Sequence, residues 1–207
     1  MTQTDQETID AFHKLFYQQQ RVYWNGYEML KNIMDLWQYQ QIIYDMRPDL
    51  IVECGTWKGG SALYLATICD MVDHGLIATV DINQWAGSPR HDRITYIQGD
   101  SGSKEVSDLL HGISESFNKV MLILDSDHVK PHVLKELRNL WDIVTPGHYL
   151  IVEDGNIHGH PVREDYPEGP TEALEEFLSE NDHFTQDRQM ERFMVTFNPG
   201  GYLRRIK

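Results

Sequence analysis

Two short stretches of this sequence end apolar runs on groups that bind cations or move protons. LILDSDH (122–128) ends on Asp125, Asp127 and His128, and HYLIVED (148–154) ends on an adjacent acid pair. Carboxylates that lie together repel one another unless a cation lies between them. Mg²⁺, Mn²⁺ and Ca²⁺ prefer such oxygen ligands. If the two runs are neighbouring strands, Asp125, Glu153 and Asp154 therefore predict a divalent-cation site.

A histidine beside such a site indicates proton transfer. His128 follows Asp125 by three residues, so its neutral imidazole could accept a proton from a nearby hydroxyl group. His132, His158 and His160 are rival candidates. A purely structural alternative is that these acids cap helices, although helix capping requires only one acid per helix.

A glycine-containing loop follows an earlier apolar run and indicates a nucleotide-like ligand. ECGTWKGGS (53–61) lets the backbone approach a ligand closely, but it matches neither GxGxxG nor the GK[ST] phosphate loop. Asp81 ends the next predicted strand, where an acid can accept the hydroxyl groups of a ribose. Gly99-Asp100-Ser101 ends a third strand, and these residues could meet an adenine edge. The set favours an adenosine-containing cofactor, with NAD and S-adenosylmethionine both possible.

The elements that must position these residues form a regular alternation. Apolar runs without period-2 alternation, separated by helical segments, indicate a parallel sheet covered on both faces. We therefore predict a doubly wound α/β fold, in which ligands bind at the carboxyl ends of the strands. Before it we expect two helices, at 5–23 and from about Asp35 to before Pro48. After it, RFMVTFN and YLRRI flank the turn signal NPGG and predict an antiparallel hairpin at one edge.

Composition narrows the function classes. The chain has 207 residues and a net charge of −14, which argues against nucleic acid or an anionic membrane as a partner. No apolar stretch approaches the roughly 18 residues of a membrane span, and MTQTDQETIDAF has no signal-peptide pattern. We therefore expect a cytoplasmic protein. Exposed aromatic residues in YWNGYEML and Trp37 make a homo-oligomer plausible.

The sequence resembles the cephalosporin hydroxylase or rhamnosyl O-methyltransferase family of class I S-adenosylmethionine-dependent methyltransferases. The resemblance covers nearly everything from about Trp24 onward, and it is carried by RPDLIVECGTWKGGSALYLA, LILDSDH, PGHYLIVEDGNIHGHPV, EALEEFL and FNPGGYLRRI. It implies a Rossmann-like, mostly parallel seven-stranded sheet with an antiparallel C-terminal strand. We place this methyltransferase domain at 49–207, with an N-terminal helical extension at 1–48.

The resemblance also implies roles for individual residues. The cation ligands would be Asp125, Glu153 and Asp154, with Asp127 as a further candidate because alignment within DSDH is ambiguous. His128 would be the base. The cofactor site would include Glu53, Gly55, Thr56, Ser61, Asp81, Asp100, Ser101 and Asp125.

From these residues and the family resemblance together, we predict an S-adenosylmethionine- and divalent-metal-dependent O-methyltransferase. Its acceptor would be a hydroxyl group of a small molecule such as a sugar, an antibiotic or another secondary metabolite. An NAD-linked oxidoreductase would share the glycine loop and Asp81, but it gives no reason for the carboxylate cluster. A non-catalytic relative that only binds the cofactor would be expected to have lost one of the acids, and all are present.

Overall fold

The computed structural model describes residues 3–207, which contain nine strands and six α-helices. The strands are β1 (Arg21–Trp24), β2 (Tyr27–Leu30), β3 (Leu50–Cys54), β4 (Leu76–Asp81), β5 (Ile94–Gln98), β6 (Val120–Leu124), β7 (Tyr149–Val152), β8 (Phe184–Gln186) and β9 (Tyr202–Arg205). The helices are α1 (Gln3–Tyr17), α2 (Ile33–Met46), α3 (Gly60–Met71), α4 (Lys104–Ser114), α5 (Lys130–Leu140) and α6 (Pro170–Glu180). Short 3₁₀ helices follow α5 and β8, at Trp141–Ile143 and Arg188–Glu191.

Seven of the strands form one sheet in the order β5-β4-β3-β6-β7-β9-β8. Strands β3 to β7 are parallel, and β9 runs antiparallel to both β7 and β8. This is the predicted mostly parallel seven-stranded sheet with an antiparallel C-terminal strand. The carboxyl ends of five parallel strands therefore meet along one edge of the sheet.

The apolar runs form strands because both faces of the sheet are covered. One face packs on α4, α5 and α6, and the other packs on α2 and α3. Every residue of β3, β6 and β7 is buried, which explains why these strands lack alternation in the sequence. Among the described residues, no helix is long and apolar enough to cross a membrane.

The N-terminal segment differs from the helices predicted for it. The helix expected at 5–23 ends at Tyr17, and residues 21–30 form a β-hairpin instead. Asn25 and Gly26 have positive φ angles of 48° and 86°, the conformation of a tight hairpin turn. The 1–48 division stays a prediction, and its first two residues lie outside the described residues.

The predicted terminal hairpin is wrong. RFMVTFN is not a strand, and β9 pairs instead with β7 and with β8, a strand that we did not predict. Val195 and Phe197 are buried, and the Phe197 amide donates to the Asp35 carboxylate instead of to a neighbouring strand. Apolar character and β-propensity at this segment thus reflect burial under the N-terminal helices.

Candidate functional site

A cavity of about 660 Å³ opens at the carboxyl ends of the parallel strands. Its wall is built from the loops that follow β3, β4, β5, β6 and β7, together with residues near the N-terminal hairpin. This is the edge at which ligands bind in open α/β sheets. The predicted site residues on its wall are Gly55, Thr56, Ser61, Asp81, Asp100, Ser101, Asp125, Asp127, His128 and Asp154.

The loop after β3 brings the backbone of two strands into close approach. Gly55 has a φ of +106°, and a Cβ atom there would lie 1.9 Å from the backbone oxygen of Asp125. Only glycine therefore fits between the loop and the end of β6. Gly59 and Gly60 then lead into α3, so the first turn of that helix points unpaired N–H groups towards the cavity edge.

Asp81 is held at the rim of the cavity by backbone amides. Its two carboxylate oxygens accept hydrogen bonds from Trp57 N at 2.7 Å and from Asn83 N at 2.8 Å. The Trp57 and Trp85 rings line the same cavity and contact each other edge to face. A fixed carboxylate and aromatic rings on one cavity wall suit a ribose with an adjoining base.

Asp100 and Ser101 lie at the third strand end, as the sequence predicts. Asp100 accepts a hydrogen bond from Gly102 N at 2.9 Å, and the Ser101 hydroxyl lies 3.4 Å from His132 Nε2. His132 also bonds to the Ser126 hydroxyl at 3.1 Å. These polar groups provide further hydrogen-bonding partners on the cavity wall, near the end of β5.

Asp125, His128 and Asp154 form a cluster on another part of the wall. One ligand atom from each residue lies within 4.8 Å of the others. His128 Nε2 lies 3.2 Å from Asp154 Oδ2. Asp154 has a φ of +55°, an unusual conformation for a residue other than glycine. Burial lowers the pKa of His128, but Asp154, Asp125 and Glu153 outweigh this effect and raise it above its ordinary value.

The other predicted cation ligands point elsewhere. Asp127 is exposed on the cavity wall and accepts a hydrogen bond from Val129 N at 3.1 Å, which orders the turn before α5 but does not cap that helix. Glu153 does not line the cavity in the part of the chain that the structure describes. Its Oε1 atom accepts hydrogen bonds from Lys31 Nζ at 2.5 Å and from Tyr39 OH at 2.8 Å.

Lys31 joins the cluster from the N-terminal segment. Its Nζ atom lies 2.5 Å from Asp125 Oδ2 and 2.5 Å from Glu153 Oε1, and its side chain is only 3% exposed. Burial lowers the pKa of Lys31, but the carboxylates of Asp125, Glu153 and Glu53 raise it above the ordinary value. The two carboxylates that contact Lys31 thus favour its charged form.

Three further residues, one predicted and two rival, are bonded to other parts of the protein. Glu53 is fully buried behind the cavity wall and accepts a hydrogen bond from the Thr79 hydroxyl at 2.6 Å. Burial raises the pKa of Glu53. His158 Nδ1 bonds to the Tyr166 carbonyl and His160 Nε2 to Glu172, so both rings serve the loop after β7.

Sequence reasoning missed Lys31 and Tyr39. A single lysine between a polar segment and a helix carries no local signal, and its partners are 94 and 122 residues away. The Trp57–Trp85 pair was also missed, although both tryptophans flank the glycine loop and Asp81 in the sequence.

The residues present fit both groups that this fold implies. The Asp125 and Asp154 carboxylates lie close enough to hold one divalent cation, and the His128 imidazole lies beside them. The close backbone approach at Gly55 and the fixed carboxylate of Asp81 lie on the same cavity and fit an adenosyl cofactor.

Comparison with known proteins agrees with this geometry. Residues 16–206 match the family Rhamnosyl O-methyltransferase/CmcI. The Rhamnosyl O-methyltransferase of Mycobacterium tuberculosis is 33% identical over 204 residues, which cover 94% of this chain and 83% of that protein.

Solved structures share the fold. The CmcI-N160 apo structure superposes with a TM-score of 0.68 at 21% identity, covering 90% of this chain and 76% of that one. The cmcI-D160 structure with Mg and SAM gives a TM-score of 0.65 at 19% identity, covering 90% and 77%.

Proposed function

Because this chain belongs to the Rhamnosyl O-methyltransferase/CmcI family of methyltransferases, we propose that it methylates a hydroxyl group with S-adenosylmethionine and a divalent cation. The acceptor is a small molecule, and the name of the mycobacterial relatives favours a sugar such as a rhamnosyl unit. Mg²⁺ is the proposed cation, since a CmcI structure contains Mg and SAM together.

One observation carries this proposal. The Asp125–His128–Asp154 cluster and the Gly55–Asp81 end of the cavity belong to a single cavity. An NAD-linked oxidoreductase would use the second feature and leave the first unexplained. Metal-assisted methyl transfer needs both features, because the acceptor oxygen and the methyl donor must be held in line.

Each residue of the site then has a role. Asp81 binds the ribose hydroxyl groups, and Gly55 lets the backbone approach the cofactor closely. Asp125 and Asp154 hold the cation. His128 accepts the proton of the acceptor hydroxyl, and the Asp154 carboxylate, 3.2 Å from His128 Nε2, stabilises the charged imidazolium that results.

The bound groups supply the remaining chemistry. A divalent cation at Asp125 and Asp154 polarises a hydroxyl group so that its proton is easier to remove, and the sulfonium of S-adenosylmethionine carries the methyl group. The protein contributes orientation and exclusion of water.

Calorimetric titration tests the cofactor. We expect wild-type protein to bind S-adenosylmethionine but not NAD, and Asp81→Asn to weaken that binding at least tenfold. Asp73→Asn, at a fully exposed acid, is the control. Binding of NAD alone would reject the proposal in favour of an oxidoreductase.

An activity assay tests the cation and the acceptor. S-adenosylhomocysteine release with p-nitrophenyl α-L-rhamnoside should require Mg²⁺, stop with EDTA, and fall at least a hundredfold in Asp154→Asn. Release that is unaffected by EDTA would reject the cation requirement. Cofactor binding without methyl transfer to this or any other glycoside would favour a cofactor-binding relative without catalysis.

A further inference from the structure

One part of the cavity wall has no role in the methyl transfer described so far. The residues already discussed bind the cofactor, hold the cation or move the proton. The wall also includes Tyr17, Arg163 and Tyr166, which come from α1 and from the loop after β7. Their role rests on the proposed function, because a methyl acceptor must lie beside the proposed cation.

The sheet order separates these side chains from the cofactor end of the cavity. Strands β4 and β5 lie on one side of β3, and β6 and β7 lie on the other. Asp81 ends β4, whereas β7 leads into Asp154 and then into the loop that carries Arg163 and Tyr166. A ligand beside Asp154 therefore has the cofactor end on one side and this loop on the other.

The loop after β7 is folded on itself and holds Arg163 against Tyr166. The Tyr166 amide donates a hydrogen bond to the Arg163 carbonyl at 2.9 Å, and the Tyr166 carbonyl accepts one from His158 Nδ1. The Arg163 guanidinium lies over the Tyr166 ring, 5.3 Å from its centroid. Arg163 has a φ of 52°, and strained backbone of this kind clusters at ligand sites.

The last turn of α1 brings Tyr17 to the same wall. His13 of this helix is buried, stacks on Phe197 and accepts a hydrogen bond from the Asn156 amide at 3.0 Å. Tyr17 contacts the Phe197 ring edge to face. The Tyr17 hydroxyl also interacts with the Arg163 guanidinium. The end of α1 and the loop after β7 thus form one continuous surface.

The charges on this surface favour a neutral ligand. Lys31 and Arg163 are the only lysine or arginine side chains on the cavity wall among the described residues. Lys31 contacts two carboxylates, and Arg163 is paired with Asp165 at 3.1 Å. Asp127 is exposed on the same wall and interacts electrostatically with Tyr166. An anion would therefore find carboxylates and no unpaired lysine or arginine on the part of the wall that the structure describes.

We propose that Tyr17, Arg163 and Tyr166 form the acceptor subsite and that it binds a neutral sugar ring. The tyrosine rings offer apolar surface to the C–H groups of a pyranose. Asp165 accepts a hydrogen bond from Arg163 Nε, and the guanidinium has further N–H groups for sugar hydroxyl oxygens. These donors bind the hydroxyl groups that the cation does not hold.

This chemistry selects a glycoside over a flat catechol. A catechol has two hydroxyl groups, and both would lie at the cation. It would leave the Arg163 and Tyr17 polar groups desolvated and without a partner, which is costly. A site built to hydrogen bond a substrate hydroxyl discriminates strongly against a compound that lacks it.

Steady-state methylation at saturating S-adenosylmethionine and Mg²⁺ tests the subsite. With p-nitrophenyl α-L-rhamnoside, we expect Arg163→Met and Tyr166→Ala to raise KM at least tenfold and to lower kcat less than threefold. Wild-type kcat/KM should be at least tenfold lower for catechol than for the rhamnoside. Arg192→Met is the matched control, because Arg192 lies over the Phe193 ring at 5.2 Å and is not among the described residues that line the cavity.

Saturation-transfer NMR gives a readout that does not depend on catalysis. Methyl α-L-rhamnoside is added to protein loaded with Mg²⁺ and S-adenosylhomocysteine, and the aromatic protons of the protein are irradiated. We expect the sugar ring protons to receive saturation in wild type and in Arg192→Met, and at least a threefold weaker effect in Tyr166→Ala. Arg163 is exposed, so Arg163→Met decides the question if Tyr166→Ala does not fold.

The outcomes separate this proposal from the proposed function. If wild type methylates the rhamnoside and both variants keep its KM, the subsite is overturned and the function stands. The subsite is also overturned if catechol is the better acceptor, or if p-nitrophenyl β-D-glucuronide inhibits more strongly than the neutral β-D-glucoside. If no acceptor is methylated but wild type binds the rhamnoside and the variants lose it, the subsite stands and the function fails.

Discussion

Asp35 shows how one buried carboxyl group ties distant parts of this chain together. Its carboxylate accepts hydrogen bonds from the Thr196 hydroxyl at 2.6 Å, the Tyr202 hydroxyl at 2.8 Å and the Phe197 amide at 2.8 Å. We expected the second helix to begin at about Asp35, but α2 begins at Ile33 and Asn32 is its cap. Burial raises the pKa of Asp35 to about 7, although the three donors lower it.

This pKa predicts a pH-dependent stability difference. The unfolded pKa is about 4, so between pH 4 and 7 the folded protein holds a proton that the unfolded chain has lost. The contribution of Asp35 to the free energy of unfolding therefore falls as pH rises through this window and is constant above it. Asp35→Asn has no such proton. We expect the stability advantage of wild type over the variant to shrink from pH 5.5 to 8, by up to about 1.4 kcal/mol per pH unit.

Guanidinium unfolding at several pH values measures this difference. Asp45→Asn, at an exposed position of the same helix, is the control and should follow wild type. A constant offset between wild type and Asp35→Asn would mean that Asp35 ionises at its ordinary pKa.

At the residue scale, the sequence predicted correctly which acids line the cavity where these acids come directly after a strand. Asp81, Asp100, Asp125 and Asp154 all line the cavity because parallel strands end at one edge. The sequence could not reveal that Glu153 points away from the cavity, because neighbouring residues at a strand end point to opposite sides. The partner that holds Glu153 there, Lys31, is remote in the sequence.

At the element scale, the β1–β2 hairpin is the feature that sequence reasoning missed although a signal was present. Asn-Gly between VYW and YEM is a strong hairpin signal, but we treated it only as the end of a helix. The apolar strands β3, β4, β6 and β7 were predicted because burial on both faces leaves uninterrupted hydrophobic runs. RFMVTFN misled us for the same reason, since burial under a helix gives a similar pattern.

Contact between the hairpin and α3 gives a prediction for Gly60→Ala. The new methyl group would collide with the Glu28 carbonyl oxygen and push the hairpin outward. We expect a loss of about 1–3 kcal/mol in stability and faster proteolysis within residues 21–30. Denaturant unfolding and limited proteolysis with mapped cleavage sites measure the two effects.

Gly112→Ala is the matched control for this prediction. Gly112 lies in α4, and a Cβ atom there would have no neighbour within 4 Å. Alanine should therefore stabilise this helix by about 0.5–1 kcal/mol. Equal behaviour of the two variants would show that the hairpin does not pack tightly on α3.

At the scale of the whole molecule, large apolar side chains are exposed on one helix of the N-terminal segment. Ile33, Trp37 and Tyr44 of α2 are each more than half exposed. Their spacing of four and seven residues places them on one face of the helix. Exposed apolar patches of this kind mark interaction surfaces, and the homo-oligomer expected from the sequence stays a prediction.

We predict that this face mediates self-association. Light scattering of the wild-type protein should give a mass at least twice the 24.1 kDa of one chain, and Trp37→Asp should give a monomer. Met71→Asp, at an exposed methionine of α3, should leave the mass unchanged. A monomeric wild-type protein at high concentration would contradict the prediction.

The hydrogen bonds of Asp35 have a consequence for biosynthesis. The ribosome adds Asp35 more than 160 residues before its three partners, which lie at positions 196–202. Contacts this distant in sequence slow folding. A nascent chain that already carries α2 and the hairpin therefore leaves the Asp35 carboxylate and the apolar residues of α2 without their partners until residues 196–202 have been synthesised. In this interval the apolar groups are open to aggregation, so the protein should depend on chaperones that bind nascent chains.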